Sequence, residues 1–408
     1  MKKIKKVLDQ LNINMGSVVA IVLTLTLLFT SGAAMGICLV AEGVAAIGGH
    51  DAGPSGGGSG GGSSGGSSNA GANNNSNKQP ITSNSQPGAK TGIVLPCATP
   101  AGNYLSAAGE GTKDISDVEE ITSSAAVLVN ASENIAVAGK NLDVVIHPAS
   151  MTKVMTLLVA CENAKDPNAL LTVKQEMLAR RTELDGSGEL VDNTTVVNGN
   201  GLREQIQIVG KSITVEDALY LINYQSDTVA CLLIAEYIAG SEQNFVNMMN
   251  NKAKELGLKN TNFVNCTGLT EADTQEHNVT TCREMAAIMA CAMNNPSSKK
   301  VITSYAKYTV DVYDNGEKTE YGIPFFADWQ NRPTRLDGNT KIGNLNVIGG
   351  KTGFEDISQS CFVTYAVDTK SGKNYICVTV GKLISEDKEV VNKTSTADTR
   401  KIYKDYAK

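Results

Sequence analysis

From Gly48 to about Lys90 this chain is dominated by glycine, serine and asparagine, with runs such as Gly56-Gly57-Gly58-Ser59-Gly60-Gly61-Gly62 and Asn73-Asn74-Asn75-Ser76-Asn77. Such a stretch has too few apolar side chains to offset the entropy of ordering it, so it cannot form a core. Any folded domain must come from the residues on either side. As a flexible tether its typical reach is roughly 35–40 Å. Three regions follow: residues 1–46, a stem over residues 47–115, and a globular domain over residues 116–408.

The first region reads as a membrane anchor. Residues Leu11 to Ala41 carry no charge, and Val18-Val19-Ala20-Ile21-Val22-Leu23 opens their most apolar part. About 20 such residues suffice to cross a bilayer. Lys2, Lys3, Lys5 and Lys6 precede the run, which orients the N-terminus to the cytoplasm and the domain outside. A cleaved signal peptide is the rival reading, with Val44-Ala45-Ala46 as its cleavage site. The run is long for one, so a single-pass anchor in the cell membrane is expected, with secretion as the outcome if it is cleaved. The net charge of −6 gives no basic surface for nucleic acid.

In the third region, Ala125 to Asn130 and Ile135 to Ala138 read as a hairpin. A helix follows at about Ser150, with Val154, Leu157, Leu158 and Cys161 at the three-and-four spacing of a buried face. Val215 to Ile238 reads as more than one helix. Ser241 caps the next, which Gly257 ends, and Thr281-Cys282-Arg283-Glu284 has the form of a capping box. Strand patterns return at Tyr308 to Val312, Cys361 to Val367 and Tyr375 to Val380. The expected architecture is α+β: an antiparallel sheet built from both ends of the region, with helices between.

Within that frame, His147-Pro148-Ala149-Ser150-Met151-Thr152-Lys153 is followed far downstream by Gly349-Gly350-Lys351-Thr352-Gly353. A serine and a lysine three residues apart at a helix start share one face, so the amine can reach the hydroxyl. A second lysine on a later strand can add positive charge to the same pocket. This is the layout of an active-serine acyl-transfer enzyme with lysine as base. Short motifs alone prove little: Ser297/Lys300, Ser304/Lys307 and Ser385/Lys388 have the same spacing, Lys90-Thr91-Gly92 repeats the second motif, and Gly53 to Gly57 imitates a nucleophile elbow inside the stem. Only Ser150 stands at the head of an apolar helix.

Together these residues resemble the D-alanyl-D-alanine carboxypeptidases, the low-molecular-weight penicillin-binding proteins related to serine β-lactamases. The likeness runs from about Ala125 to Val380 through His147–Thr156, Thr214–Leu219, Leu232–Gly240, Ala253–Asn265 and Gly349–Phe354. It implies the penicillin-binding-protein-like transpeptidase fold. It also implies removal of the terminal D-alanine from peptidoglycan stem pentapeptides, β-lactams as covalent inhibitors, and no cofactor. By the resemblance, Ser150 is the nucleophile and Lys153 its base, with a pKa lowered by burial and by Lys351. Ser226 passes a proton to the leaving amine. Lys351 and Thr352 hold the substrate carboxylate, Gly353 lets substrate lie close to the strand, and the amides of Ser150 and Phe354 form the oxyanion hole. The middle motif of the family, Ser-x-Asn, falls on Ser226-Asp227-Thr228, so threonine stands where asparagine is usual.

A β-lactamase is disfavoured, because no glutamate occurs in Lys259 to Leu269 to hold a deacylating water. A D,D-endopeptidase acting on crosslinks would use the same residues, and a catalytically weak penicillin- or peptidoglycan-binding protein is the reading that Thr228 alone favours. Of the nine cysteines, Cys161, Cys231, Cys291, Cys361 and Cys377 fall on apolar faces as small core residues, and only Cys361 and Cys377 could meet across a hairpin. The three histidines lie in no metal-binding pattern, so no metal site is expected. The chain ends at Lys408, 55 residues after Gly353, which leaves room to finish the sheet but not for the β-rich C-terminal domain of many relatives.

Overall fold

The structure, a computed structural model, describes residues 92–185, 194–200, 202–271, 274–304, 309–322, 340–381, 383 and 395–408. The apolar run from Leu11 to Ala41 and the stem from Gly48 to Lys90 lie outside the described residues. Among those described, no helix is long and apolar enough to cross a membrane.

The chain forms β1 (Lys113–Asp114), the hairpin β2 (Ala125–Asn130) and β3 (Ile135–Lys140), and a short β4 (Val145–Ile146). A 3₁₀ turn over Ala149–Thr152 leads into α1 (Lys153–Asn163). Then come β5 (Leu170–Thr172), α2 (Gln175–Asp185), β6 (Thr194–Val197), β7 (Arg203–Ile206) and β8 (Ser212–Thr214). Three helices follow: α3 (Val215–Tyr224), α4 (Thr228–Ala239) and α5 (Glu242–Glu255). After β9 (Thr280–Thr281) come α6 (Cys282–Asn294), α7 (Pro296–Thr303), and the strands β10 (Thr309–Asp314) and β11 (Glu317–Gly322). The chain closes with β12 (Lys341–Ile342), β13 (Leu345–Glu355), β14 (Gln359–Asp368), β15 (Asn374–Val380) and α8 (Ser395–Tyr406).

The main sheet has seven strands in the order β1-β3-β2-β15-β14-β13-β12, so both ends of the domain meet in it, as expected. Its central strands are buried on both faces, which explains why they read as unbroken apolar runs. On β2, Val127 and Val129 enter the large helical core while Ala126 and Leu128 enter a second core beneath α8. The same alternation separates Cys361 from Cys377, one in each core. Cys361 is in register with Val380 and Cys377 with Thr364, so the two do not meet across the hairpin. All eight cysteines among the described residues are free thiols.

Helix α1 departs from the one-sided pattern read from its spacing. Every residue from Lys153 to Cys161 is buried, because the helix runs through the middle of the helical layer rather than along its edge. The capping positions read from sequence carry the expected bonds: Ser241 Oγ accepts from Asn244 N at 3.2 Å and Thr281 Oγ1 from Glu284 N at 3.1 Å. The Glu284 carboxylate, however, gathers Lys259 N, Asn260 N and Thr261 Oγ1 from the chain after α5.

Two features differ from the sequence reading. A second, six-stranded sheet, β5-β8-β10-β11-β6-β7, stands where a purely helical region was expected, and β10 belongs to it rather than to the main sheet. Residues 92–115, assigned by composition to the stem, pack on the domain. Ile93 and Ile115 are buried, Cys97 N donates to Cys161 O, Ser297 Oγ donates to Val94 O, and β1 pairs with β3.

Candidate active site

The 3₁₀ turn carrying Ser150 rests on β13. At Gly353 a β-carbon would lie 2.9 Å from Ala149 Cβ and 3.0 Å from both Pro148 O and Ser150 N. Glycine is therefore required here by the turn that presents the serine, whereas the sequence reading assigned its small size to the approach of substrate. From the other side, Gly268 at φ +84° comes so close that a β-carbon would overlap the carbonyl of Ala149. Pressed between the two, Ala149 adopts φ 47°. A left-handed alanine is strained and persists only where its surroundings over-determine it.

Lys153, in the first turn of α1, is buried and donates from Nζ to Ser150 Oγ at 3.1 Å and to Thr267 O at 2.6 Å. Burial lowers its pKa. The acidic groups around it, Cys231, Cys266, Asp227 and Glu355, pull the other way. Lys351, on β13, donates from its Nζ to Ser226 Oγ at 2.9 Å and to Thr352 O at 2.8 Å. An amine held against a hydroxyl in a dry site can take its proton, and so expose a serine alkoxide to a carbonyl.

Ser226 lies in the connection between α3 and α4 at φ 57°, a second strained non-glycine backbone at the site. Asp227 caps α4, accepting from Ala230 N at 2.7 Å, and Thr228 is the first helical residue. The structure thus brings Ser150, Lys153, Ser226, Lys351, Thr352 and Gly353 together from the 3₁₀ turn, the start of α1, the α3–α4 connection and β13. Phe354 follows them on β13 with its side chain 58% exposed. The backbone nitrogen of Ser150 lies 3.0 Å from where a Gly353 β-carbon would stand, one residue before Phe354, whose amide was the second expected oxyanion donor.

Several residues that shape the site had no sequence signal of their own. Asn265 Oδ1 accepts from Thr267 N, Thr267 Oγ1 and Gly268 N at 3.2, 3.1 and 2.8 Å, folding the loop that offers Thr267 O to Lys153. Thr156 Oγ1 ties that loop to α1 through Cys266 O at 2.7 Å. Arg180 on α2 clamps it from outside, bidentate on Glu271 at 2.8 Å and bonded to Glu242 at 2.8 Å. Asn278 Nδ2 donates to Thr152 Oγ1 at 3.0 Å and its carbonyl lies 3.1 Å from Nδ1 of the buried His147, whose pKa burial pushes down to about 4.

Comparison with known proteins decides what this arrangement is. The model of peptidase family S11, the D-alanyl-D-alanine carboxypeptidases, matches residues 112–383. The chain belongs to this family. Among curated S11 relatives, it is 32% identical over 183 residues to D-alanyl-D-alanine carboxypeptidase DacF of Bacillus subtilis, covering 45% of this chain and 42% of that one. It is 26% identical over 258 residues to a D-alanyl-D-alanine endopeptidase of Pseudomonas aeruginosa, covering 63% of this chain and 71% of the relative. The chain thus spans less than half the length of the Bacillus relative. In fold, the S11 domain is similar to a cysteine-to-asparagine mutant of the Streptomyces K15 DD-transpeptidase, with a TM-score of 0.53 at 22% identity over 70% of this chain and 98% of that one. The penicillin-binding-protein-like α+β architecture expected from sequence is the one observed.

Proposed function

We propose that this protein is a serine D-Ala-D-Ala carboxypeptidase that removes the terminal D-alanine from peptidoglycan stem pentapeptides. The observation that carries the reading is the buried Lys153 amine at 3.1 Å from Ser150 Oγ, with the second lysine, Lys351, on Ser226. Ser150 attacks the carbonyl of the D-Ala-D-Ala bond and Lys153 takes its proton. The oxyanion is met by the amides of Ser150 and Phe354. The C–N bond then breaks and the departing amine receives a proton through Ser226. Water hydrolyses the acyl-ester. Lys351 and Thr352 hold the substrate carboxylate, and β-lactams acylate the same serine. Thr228 stands where the family carries asparagine. The loss of one amide hydrogen bond costs roughly 1 kcal/mol, enough to slow the enzyme but not to silence it.

The likeness to an endopeptidase keeps cleavage of D,D-crosslinks as a second reading, since the same residues serve both. The charge-free run Leu11–Ala41 behind four lysines supports a single-pass anchor in the cell membrane with the domain outside it, reaching peptidoglycan on its tether. The test is D-alanine release from a peptide ending in D-Ala-D-Ala by the full-length chain in detergent, beside Ser150→Ala. Release lost in the variant is expected. A folded wild type that releases no D-alanine but cleaves crosslinked dimers would establish the endopeptidase instead.

A further inference from the structure

Glu355 follows Gly353-Phe354 on β13, and neither the family resemblance nor the mechanism above uses it. Successive side chains of a strand point to opposite faces, and β13 pairs with β14 in regular register from Lys351↔Val363 to Glu355↔Gln359. Lys351, Gly353 and Glu355 therefore share the face on which the Ser150 turn rests. Lys351 lies on one side of Gly353 and Glu355 on the other. Glu355 is partly buried, and its Oε2 is 3.5 Å from Thr270 Oγ1, which in turn is 3.4 Å from Nε2 of His147.

We propose that Glu355 is a positioning residue of the active site, whose carboxylate faces the Lys153 side of the Ser150 turn and sets the pH range in which the serine can be activated. The inference rests on the functional reading above. A carboxylate near a buried amine favours the ammonium form, which cannot accept the Ser150 proton. The two groups do interact: Glu355 works to raise the pKa of Lys153, and Lys153 to lower that of Glu355. Burial, helped by Asp356, nevertheless pushes the Glu355 carboxyl up to about 7. Near neutrality the Glu355 carboxyl therefore changes charge, and its neutral form leaves the Lys153 amine easier to deprotonate beside Ser150. The other ionisable groups around Lys153 are Asp227, Cys231 and Cys266. Around Glu355 they are Asp356, Cys361 on β14 and, behind Thr270, His147 with the His277 ring 5.0 Å away.

The sign of the test follows. Glu355→Gln removes a charge that raises the Lys153 pKa, so the free amine persists to lower pH. The acid limb of acylation by a fluorescent penicillin should move down by about half a unit or more, roughly a threefold rate gain on the limb. Glu355→Asp, which keeps the charge, should stay near the wild-type limb. A limb unmoved in Glu355→Gln, or moved equally in both variants, would overturn the proposal while leaving the carboxypeptidase reading intact. A wild type that neither binds penicillin nor releases D-alanine would instead remove that reading. The charge effect on Lys153 can still be read then, from the NMR titration of carbon-13-labelled lysine side chains: a Lys153 pKa unchanged by Glu355→Gln would refute it.

Discussion

Gly353 shows how much of this site depends on a missing side chain. Lys351 and Thr352 are the residues of the strand motif proposed to hold the substrate carboxylate, but Gly353 lets the strand touch the Ser150 turn at Ser150 N. Gly353→Ala would add a methyl 2.9 Å from Ala149 Cβ and 3.0 Å from Ser150 N. The strand is held in the sheet by its pairing with β14, so the turn must give way, and with it the amide expected to bind the oxyanion. Loss of one such donor typically costs a hundred- to a thousandfold. Acylation by penicillin should therefore fall at least about a hundredfold in Gly353→Ala, with only a small change in melting temperature. Stopped-flow acylation beside a thermal melt checks this, and a rate within tenfold of wild type would show that the contact does not set the oxyanion geometry. Thr228, by contrast, is at the first position of α4, and its effect should be graded rather than absolute.

At the scale of elements, the loop from Val264 to Glu271 does for Lys153 what β13 does for Ser150. Its shape depends on Asn265, which accepts three hydrogen bonds within the loop and donates to Leu269 O and Glu271 Oε1 at 2.8 and 3.0 Å. Asn265→Ala would leave several of these groups buried without a partner. The expected loss is about 2–3 kcal/mol, or roughly 5–10 °C in melting temperature for a domain of this size. Thr267 O would no longer fix the amine, so kcat should fall by more than KM rises. Calorimetry and steady-state D-alanine release separate the two effects, and a variant with lowered stability but full kcat would mean that the loop only supports the fold.

The same elements show what a sequence can and cannot disclose. The strands β2, β14 and β15 were legible because burial on both faces writes them as apolar runs. Ser226 was legible only through the family resemblance, whose middle motif falls on Ser226-Asp227-Thr228. The second sheet was not: β7 reads Arg203-Glu204-Gln205-Ile206 and β11 is largely exposed, so pairing rather than patterning makes them strands. Arg180 and Glu271 stand 91 residues apart, and Glu355 gains meaning only from what folds against it. Isolated polar residues carry no period, so their role emerges only with the tertiary structure.

At the scale of the whole molecule, the main sheet separates the face on which the Ser150 turn rests from the face covered by α8. Lys351 and Gly353 face the helical layer, while α8 closes the opposite side with Ile402 and Tyr403 in the smaller core. Asp398 anchors that helix: its Oδ2 accepts from Ser123 N and Ser123 Oγ, both at 2.6 Å, and from Thr122 Oγ1 at 3.1 Å, just ahead of β2. The carboxylate is buried, and hydrogen bonds to charged groups contribute about 1.5–3 kcal/mol each. Asp398→Ala would remove these bonds and leave Ser123 N buried without an acceptor. A loss of about 3 kcal/mol is expected, with α8 becoming open to protease. Tyr403 still bonds Thr364 Oγ1 at 2.9 Å, so the helix should loosen rather than leave. Because the seven-stranded sheet stands between α8 and Ser150, penicillin acylation of the folded variant should stay within about threefold of wild type, a difference of under 1 kcal/mol in barrier. Limited proteolysis and acylation measured on one preparation decide the matter. Acylation that falls in step with protease sensitivity would show that the two faces act as one cooperative unit, and that α8 belongs to the catalytic machinery rather than to its support.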